Sequence, residues 1–204
     1  IGGLNKGDHQ DSEGADRLQL GLPYGQDAVI GALAEANPNL AVAIVSGNAV
    51  AMPWIDRVPA VLEAWYSGSE AGNALADVLF GAVNPSGKLP FTFPVRLEDC
   101  SAHSAGEYPG DGQVVYRDGI FVGYRWIEKE RIEPLFAFGH GLSYTTFDIA
   151  NVQADRTSLA TTGRLRVSAD VTNTGGRAGA EVVQLYIGDK LSSLPRPVKE
   201  LKGF

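Results

Sequence analysis

Cysteine is nearly absent. Cys100 is the single thiol among 204 residues, which excludes an internal disulfide and a cysteine-based metal site and leaves the redox compartment undecided. No apolar run approaches the roughly 20 residues that cross a bilayer, and the opening IGGLNKGDHQ has no basic stretch followed by an apolar one of the kind found in signal peptides. No membrane partner is expected. Basic charge is scarce as well: 17 Lys and Arg stand against 24 Asp and Glu, a net charge of -7. Without a clustered cationic excess to neutralise phosphates, a nucleic-acid partner is excluded, and small neutral or cationic ligands remain. The three histidines, His9, His103 and His140, lie far apart and show no metal-ligating spacing, and no Gly-x-Gly-x-x-Gly follows a strand. Neither a metal nor a cofactor is expected.

What is present describes an ordinary globular composition, 44% hydrophobic with 25 Gly and 11 Pro, in a chain long enough for one sizeable core and a small second module. The charge is unevenly spread. Residues 1–148 hold 9 Lys or Arg against 19 Asp or Glu, whereas residues 149–204 hold 8 against 5. That sign change, together with a change of hydrophobic period, predicts two modules joined near Phe147 to Gln153.

In the first module, Val29, Ile30 and Leu33 fall at helical spacing within Gly25 to Ala36, and Asn37-Pro38 ends that helix because the residue before proline disfavours the α region. Leu40 to Val45 (LAVAIV) is a continuous apolar run, suited to a parallel strand covered on both faces. Val61 to Tyr66 predicts a second strand. Ser69 is then expected to cap a helix carrying Ala71, Leu75, Val78 and Leu79 on one face, with Gly81 as its left-handed stop. The order α, β, β, α reads as part of an α/β sheet. Pro85 to Tyr144 is punctuated by Gly, Pro and aromatics and predicts loops and short strands, with Pro134 to Phe147 (PLFAFGHGLSYTTF) as a rigid packed turn that includes His140. The second module reads as β. Leu165, Val167, Ala169 and Val171 alternate with polar residues, and Ala180 to Ile187 predicts the next strand. An immunoglobulin-like sandwich takes about seven strands and about 100 residues, so both this module and the opening Ile1-Gly2-Gly3-Leu4 read as interrupted pieces of larger units.

Chemistry concentrates in the loop Asn5 to Arg17 (NKGDHQDSEGADR), which holds four acids, two bases and a histidine in 13 residues. A polar loop leaving the carboxyl end of a strand in an open α/β sheet is where ligands bind. A carboxyl there can serve as a general acid if burial or a neighbouring negative charge keeps it protonated. Asp8, Asp11, Glu13 and Asp16 are the candidates, beside a purely solvated loop.

Ser12-Glu13-Gly14-Ala15-Asp16-Arg17 followed by Leu22-Pro23 and Gln26-Asp27 resembles a signature of glycoside hydrolase family 3, the β-glucosidase and β-xylosidase family. Five further stretches resemble the family in order: Ala64-Trp65-Tyr66-Ser67-Gly68 with Gly72 to Gly81; Asn84 to Pro90 with Phe93-Pro94; Gly119 to Arg125; Pro134 to Tyr144; and Arg196 to Phe204. The resemblance covers essentially the whole chain. It implies an open α/β sandwich domain over 1–148, followed from 149 to 204 by a truncated immunoglobulin-like, fibronectin type III-like β-sandwich. It also implies a (β/α)8 barrel earlier in the same polypeptide, which supplies a nucleophilic aspartate, while the acid/base position falls on Glu13. The implied reaction is retaining hydrolysis of β-linked glucosides or oligosaccharides, first of terminal β-D-glucosyl residues and next of β-xylosides, with this chain alone inactive. Asp16, Arg17, Asp8 and His9 are then expected to hold the loop or line the substrate. Asp118 stands where the family more often has glutamate. Secretion is left open, with extracellular or periplasmic placement favoured.

Two readings from other classes stand beside this one. Ser67-Gly68-Ser69-Glu70-Ala71-Gly72 follows a strand and opens a helix, the setting of a serine-hydrolase nucleophile elbow, with Ser69 as nucleophile and His103 or His140 as base. The flanking glycines that such a strained turn needs are Ser67 and Ala71 here. The other reading is a noncatalytic carbohydrate-binding or structural domain.

Overall fold

The computed structural model describes residues 17–106, 108 and 110–204. Helix α1 (Gln26–Ala36) starts after Gly25, whose φ of 70° suits a residue without a Cβ, and ends at Asn37, whose N–H returns to the Leu33 carbonyl before Pro38. It buries Ile30 and Gly31. Strand β1 (Ala41–Ile44) pairs in parallel with β2 (Ala60–Glu63), placing Val42 opposite Val61 and Ile44 opposite Glu63. Val42 and Ile44 are buried, Ala43 is half-buried and Ala41 is exposed, so one face of β1 is covered more deeply than the other. The connection between the strands contains only a 3-10 turn at Ile55–Arg57, yet it supplies much of the core. Ala49, Val50, Met52, Trp54 and Val58 pack there with Leu22, Ile30, Val42, Ile44 and Phe93. Each large side chain so buried contributes about 1.5–3 kcal/mol of hydrophobic stabilisation.

Helix α2 (Ala71–Leu79) carries Ala71, Leu75 and Val78 half-buried, as the spacing predicts, but Leu79, expected on the same face, is exposed; Gly81 follows with φ 77°. Its start departs from expectation. Ser69 lies inside a 3-10 turn at Gly68–Glu70, the N-cap position is Glu70, and no side chain caps the helix, because the tighter turn carries the chain into α2 two residues beyond the serine. The stretch expected to be loops and short strands instead holds α3 (Ser101–Ser104) and α4 (Tyr124–Glu130), with one isolated antiparallel bridge between Phe93 and Phe136. Glycine and aromatic punctuation conceals α4, since Gly123 at φ 58° starts it and Arg131, left-handed at φ 57°, stops it.

β3 (Phe147–Ala154) and β4 (Val167–Asn173) form an antiparallel pair with a bulge between Ala150 and Gln153, where Asn151 takes φ 52°. The expected join near Phe147 to Gln153 is thus itself a strand. β5 (Leu185–Ile187), shorter than expected, pairs antiparallel with β6 (Glu200–Gly203). Among the described residues no helix is long and apolar enough to cross a membrane.

Candidate active site

The carboxyl ends of β1 and β2 lie side by side because the strands are parallel and in register. Pairing continues one residue beyond β2, where the Ala64 N–H donates to the Ile44 carbonyl at 2.8 Å, and then breaks at Trp65, which adopts φ 51°. A left-handed conformation is strained for so bulky a residue. Two contacts hold it: its N–H donates to Glu63 Oε1 at 3.1 Å, and its indole meets Phe91 and Phe93 edge-on at 5.5 and 6.2 Å. Across the strand ends, Ser46 is fully buried. Its hydroxyl donates to the Asn48 carbonyl at 2.8 Å, and both Glu63 carboxylate oxygens lie 3.4 Å from the same Oγ. One hydroxyl proton is therefore shared between a short bond inside the turn and a long one to the neighbouring strand.

Arg17 meets that turn. Its guanidinium donates to the Ala49 carbonyl at 2.7 Å, to Leu20 at 2.8 Å and to Gly21 at 3.3 Å. The Ala51 N–H donates to the Leu20 carbonyl at 2.8 Å, so residues 17–21 are stitched to residues 49–51. Charge-assisted donation from a planar guanidinium to several carbonyls is a strong anchor. Of the loop residues singled out in the sequence, Asp8, His9, Asp11, Glu13 and Asp16 lie outside the described residues, and only Arg17 can be placed.

The Gln26-Asp27 part of the first motif shapes the same region. Asp27 accepts the Leu22 N–H at 3.0 Å and Trp54 Nε1–H at 2.8 Å, fixing the chain after Arg17 against the core. Trp54 is buried in the core. Trp126 donates its indole N–H to the Asp99 carbonyl at 3.1 Å, with Lys129 Nζ 5.0 Å from its ring centre. Asp118 accepts the Ser101 hydroxyl at 2.9 Å. His140 stacks on Phe136 at 4.9 Å, and burial, reinforced by nearby Lys88, lowers its pKa. These contacts suit the packed turn expected for that segment. Beside β2, a groove of about 340 Å³ runs between Val45, Trp65, Tyr66, Gly68, Gly72 and Leu75. The sequence reading missed Ser46 and Glu63. Their signal was a carboxylate closing the strand run VLEAWY and a serine directly after LAVAIV, both at strand carboxyl ends.

The family description "Glycosyl hydrolase family 3 C-terminal domain" matches residues 3–144, and "Fibronectin type III-like domain" matches residues 181–204. The chain is 53% identical to a Bacteroides ovatus protein named beta-glucosidase BoGH3A, over all of this chain and 28% of that protein. It is 49% identical to thermostable beta-glucosidase B of Acetivibrio thermocellus, over 97% of this chain and 26% of the relative. Among solved structures, the Kluyveromyces marxianus beta-glucosidase superposes with a TM-score of 0.90 at 42% identity, covering all of this chain and 24% of that one. DesR, a beta-glucosidase from Streptomyces venezuelae solved with D-glucose, superposes at 0.85 with 46% identity, over 93% of this chain and 24% of its own. The chain thus spans about a quarter of the length of the relatives it matches, and within that quarter the match runs from end to end. The chain belongs to glycoside hydrolase family 3, whose C-terminal α/β domain and fibronectin type III-like region it carries.

Proposed function

We propose that this chain is part of a retaining β-glucosidase acting on terminal β-D-glucosyl residues of glucosides or oligosaccharides, and that it supplies the acid/base carboxyl, Glu13. The observation that carries the reading is the near-50% identity, along essentially the whole chain, to proteins named beta-glucosidases. The nucleophile belongs to a preceding barrel domain in this reading, and the modules divide as 1–148 and 149–204. In retaining hydrolysis two carboxyls about 5–5.5 Å apart divide the work. Glu13 protonates the departing glycosidic oxygen as the nucleophile attacks, then takes a proton from the water that releases the glycosyl-enzyme. Asp16 and Arg17 hold the loop, and Asp8 and His9 border the aglycone. The hydrogen bonds from Arg17 to the Ala49, Leu20 and Gly21 carbonyls support this reading, since they fasten the last residue of the loop.

The test compares Glu13→Ala with the unaltered sequence in the full-length enzyme, meaning a polypeptide in which this chain follows the N-terminal portion that its relatives have. For an aryl β-glucoside with a poor leaving group, kcat/KM should fall by about 10²- to 10⁴-fold, the usual contribution of a general acid. With an activated leaving group kcat/KM should change little, and azide should raise kcat while yielding a β-glucosyl azide. Unchanged hydrolysis of both substrates would move the role to another carboxyl of the loop, Asp11 or Asp16 first.

A further inference from the structure

Between the end of β2 and the start of the described chain lies a continuous set of polar contacts that the reaction as outlined does not use. Glu63 closes β2 with its carboxylate turned across the strand ends toward Ser46 Oγ, 3.4 Å from each oxygen. Ser46 is fully buried and fastens the following turn through the Asn48 carbonyl at 2.8 Å. The next carbonyl, that of Ala49, receives the Arg17 guanidinium at 2.7 Å. Arg17 is the last residue of the candidate acid/base loop. Glu63 also accepts the Trp65 N–H and so holds a tryptophan in a left-handed conformation at the strand end. A half-buried carboxylate at the carboxyl end of a parallel strand is costly to desolvate unless its oxygens are used, and here they are used on both neighbouring strand ends.

We infer that Glu63 is a positioning residue for the acid/base loop, setting through Ser46 and the Ser46–Val50 turn the carbonyl on which Arg17 anchors the loop's carboxyl-terminal end. This inference rests on the assignment of Glu13. Glu63 does not touch the reacting atoms in this scheme. It governs how squarely the Glu13 carboxyl meets the leaving oxygen, and misplacement by about 1 Å from a distant change lowers rate by about 10²-fold.

The experiment uses the full-length enzyme with Glu63→Ala, Glu63→Gln, Ser46→Ala and, as reference, Glu13→Ala. Each is assayed on phenyl β-glucoside and 2,4-dinitrophenyl β-glucoside, with thermal midpoints measured in parallel. For Glu63→Ala, kcat/KM on the phenyl glucoside should fall by about 10²-fold and on the dinitrophenyl glucoside by no more than about 3-fold, because only the former needs a well-placed acid. Glu63→Gln, which folds with the same shape and keeps an oxygen for the Trp65 N–H, should recover much of the loss. Ser46→Ala should reproduce the leaving-group pattern in weaker form, since it cuts the route downstream of Glu63. Equal losses on both substrates, following the thermal midpoints, would overturn the inference and leave Glu63 a purely structural support of the Trp65 turn; so would unchanged kinetics in Glu63→Ala and Ser46→Ala. If Glu13→Ala itself shows no leaving-group dependence, the assignment of Glu13 falls and this inference with it. If Glu13→Ala behaves as an acid/base variant while the Glu63 variants do not follow it, only the inference falls.

Discussion

Asp27 shows how one side chain serves two ends of the fold. It lies in the first turn of α1, accepts the Leu22 backbone N–H, and accepts a hydrogen bond from the buried Trp54 indole N–H at 2.8 Å. Asp27→Ala leaves that indole N–H without its acceptor inside the core, which costs about 1–3 kcal/mol. A urea titration followed by tryptophan fluorescence should show the unfolding free energy fall by that amount, through a lower midpoint at unchanged slope. Gly141 makes a different demand, for space alone. A Cβ there would stand 2.1 Å from the Gly87 carbonyl oxygen and 3.0 Å from Lys88 Cδ, where the glycine-serine stretch before Lys88 crosses the Phe138–Tyr144 turn. Gly141→Ala must push backbone from backbone, so a destabilisation of about 1–3 kcal/mol is expected in the same titration.

At the scale of elements, the core is closed by an aromatic ladder rather than by a broad sheet. Phe93 and Phe136 exchange backbone hydrogen bonds of 2.8 and 3.2 Å, and Phe91, Phe93, Phe136 and Trp65 form a chain of ring contacts. Phe93 is almost fully buried, so Phe93→Ala should cost about 3–5 kcal/mol, enough to unfold a marginal domain and readable as loss of a cooperative thermal transition. Lys88 joins this region to the second module. Its ammonium bonds the Gly141 carbonyl at 2.6 Å and pairs with Glu181 at 2.7 Å, with both side chains largely covered. The hydrogen bond from Lys88 holds the Glu181 carboxyl below its ordinary value of 4.5, and burial followed by Lys88 holds His140 below 6.5. Both groups have folded pKa values beneath their unfolded ones, so the folded state binds fewer protons in each window. Their stabilisation is complete above the unfolded values and is lost as pH falls through the folded ones. Chemical-denaturation midpoints should therefore decline in two stages, first as pH drops below 6.5 and again below 4.5. Lys88→Met should flatten the second stage most.

For the molecule as a whole, the two modules are joined by side chains of both. Tyr124 of α4 stacks on Phe138 at 5.1 Å, meets Tyr186 of β5 at 5.9 Å, and accepts the Leu201 N–H of β6 at 3.0 Å. Arg125 pairs with Glu200 and Lys199 with Glu128 across the same seam. Asn84, in the Asn-Pro-Ser-Gly motif, donates to the Ala178 carbonyl at 2.9 Å and accepts from Ser143 and Tyr144. Catalysis in the proposed scheme needs a second carboxyl about 5–5.5 Å from the first. The purified 204-residue chain is accordingly expected to show no turnover of aryl β-glucosides, and measurable glucose release by it would refute the placement of the nucleophile in a preceding domain.

Particular residues mark what was legible beforehand. Helix α1, the parallel strand within LAVAIV and the stop at Gly81 are readable, because each is set by local period and by residues with restricted backbones; the alternating run from Leu165 is readable in part, since β4 begins at Val167 and leaves Leu165 and Val171 exposed. The family was readable from six motifs in order. Helix α4 was not, since Gly123 and Arg131 bound it by left-handed turns that read as loop punctuation. The start of α2 was misplaced because Ser69 satisfies a capping preference that the 3-10 turn makes unnecessary. Glu63, Ser46 and Arg17 are 17 and 29 positions apart in the chain, and no local pattern ties them together. The sequence by itself determined that a helix, a parallel strand and a β module are present and in what order, which family the chain belongs to, and which loop holds the acids. Only the tertiary structure decided that the ends of β1 and β2 meet, because parallel pairing joins distant segments through backbone register, and it is that register which brings Glu63, Ser46 and the carbonyl under Arg17 into one polar chain.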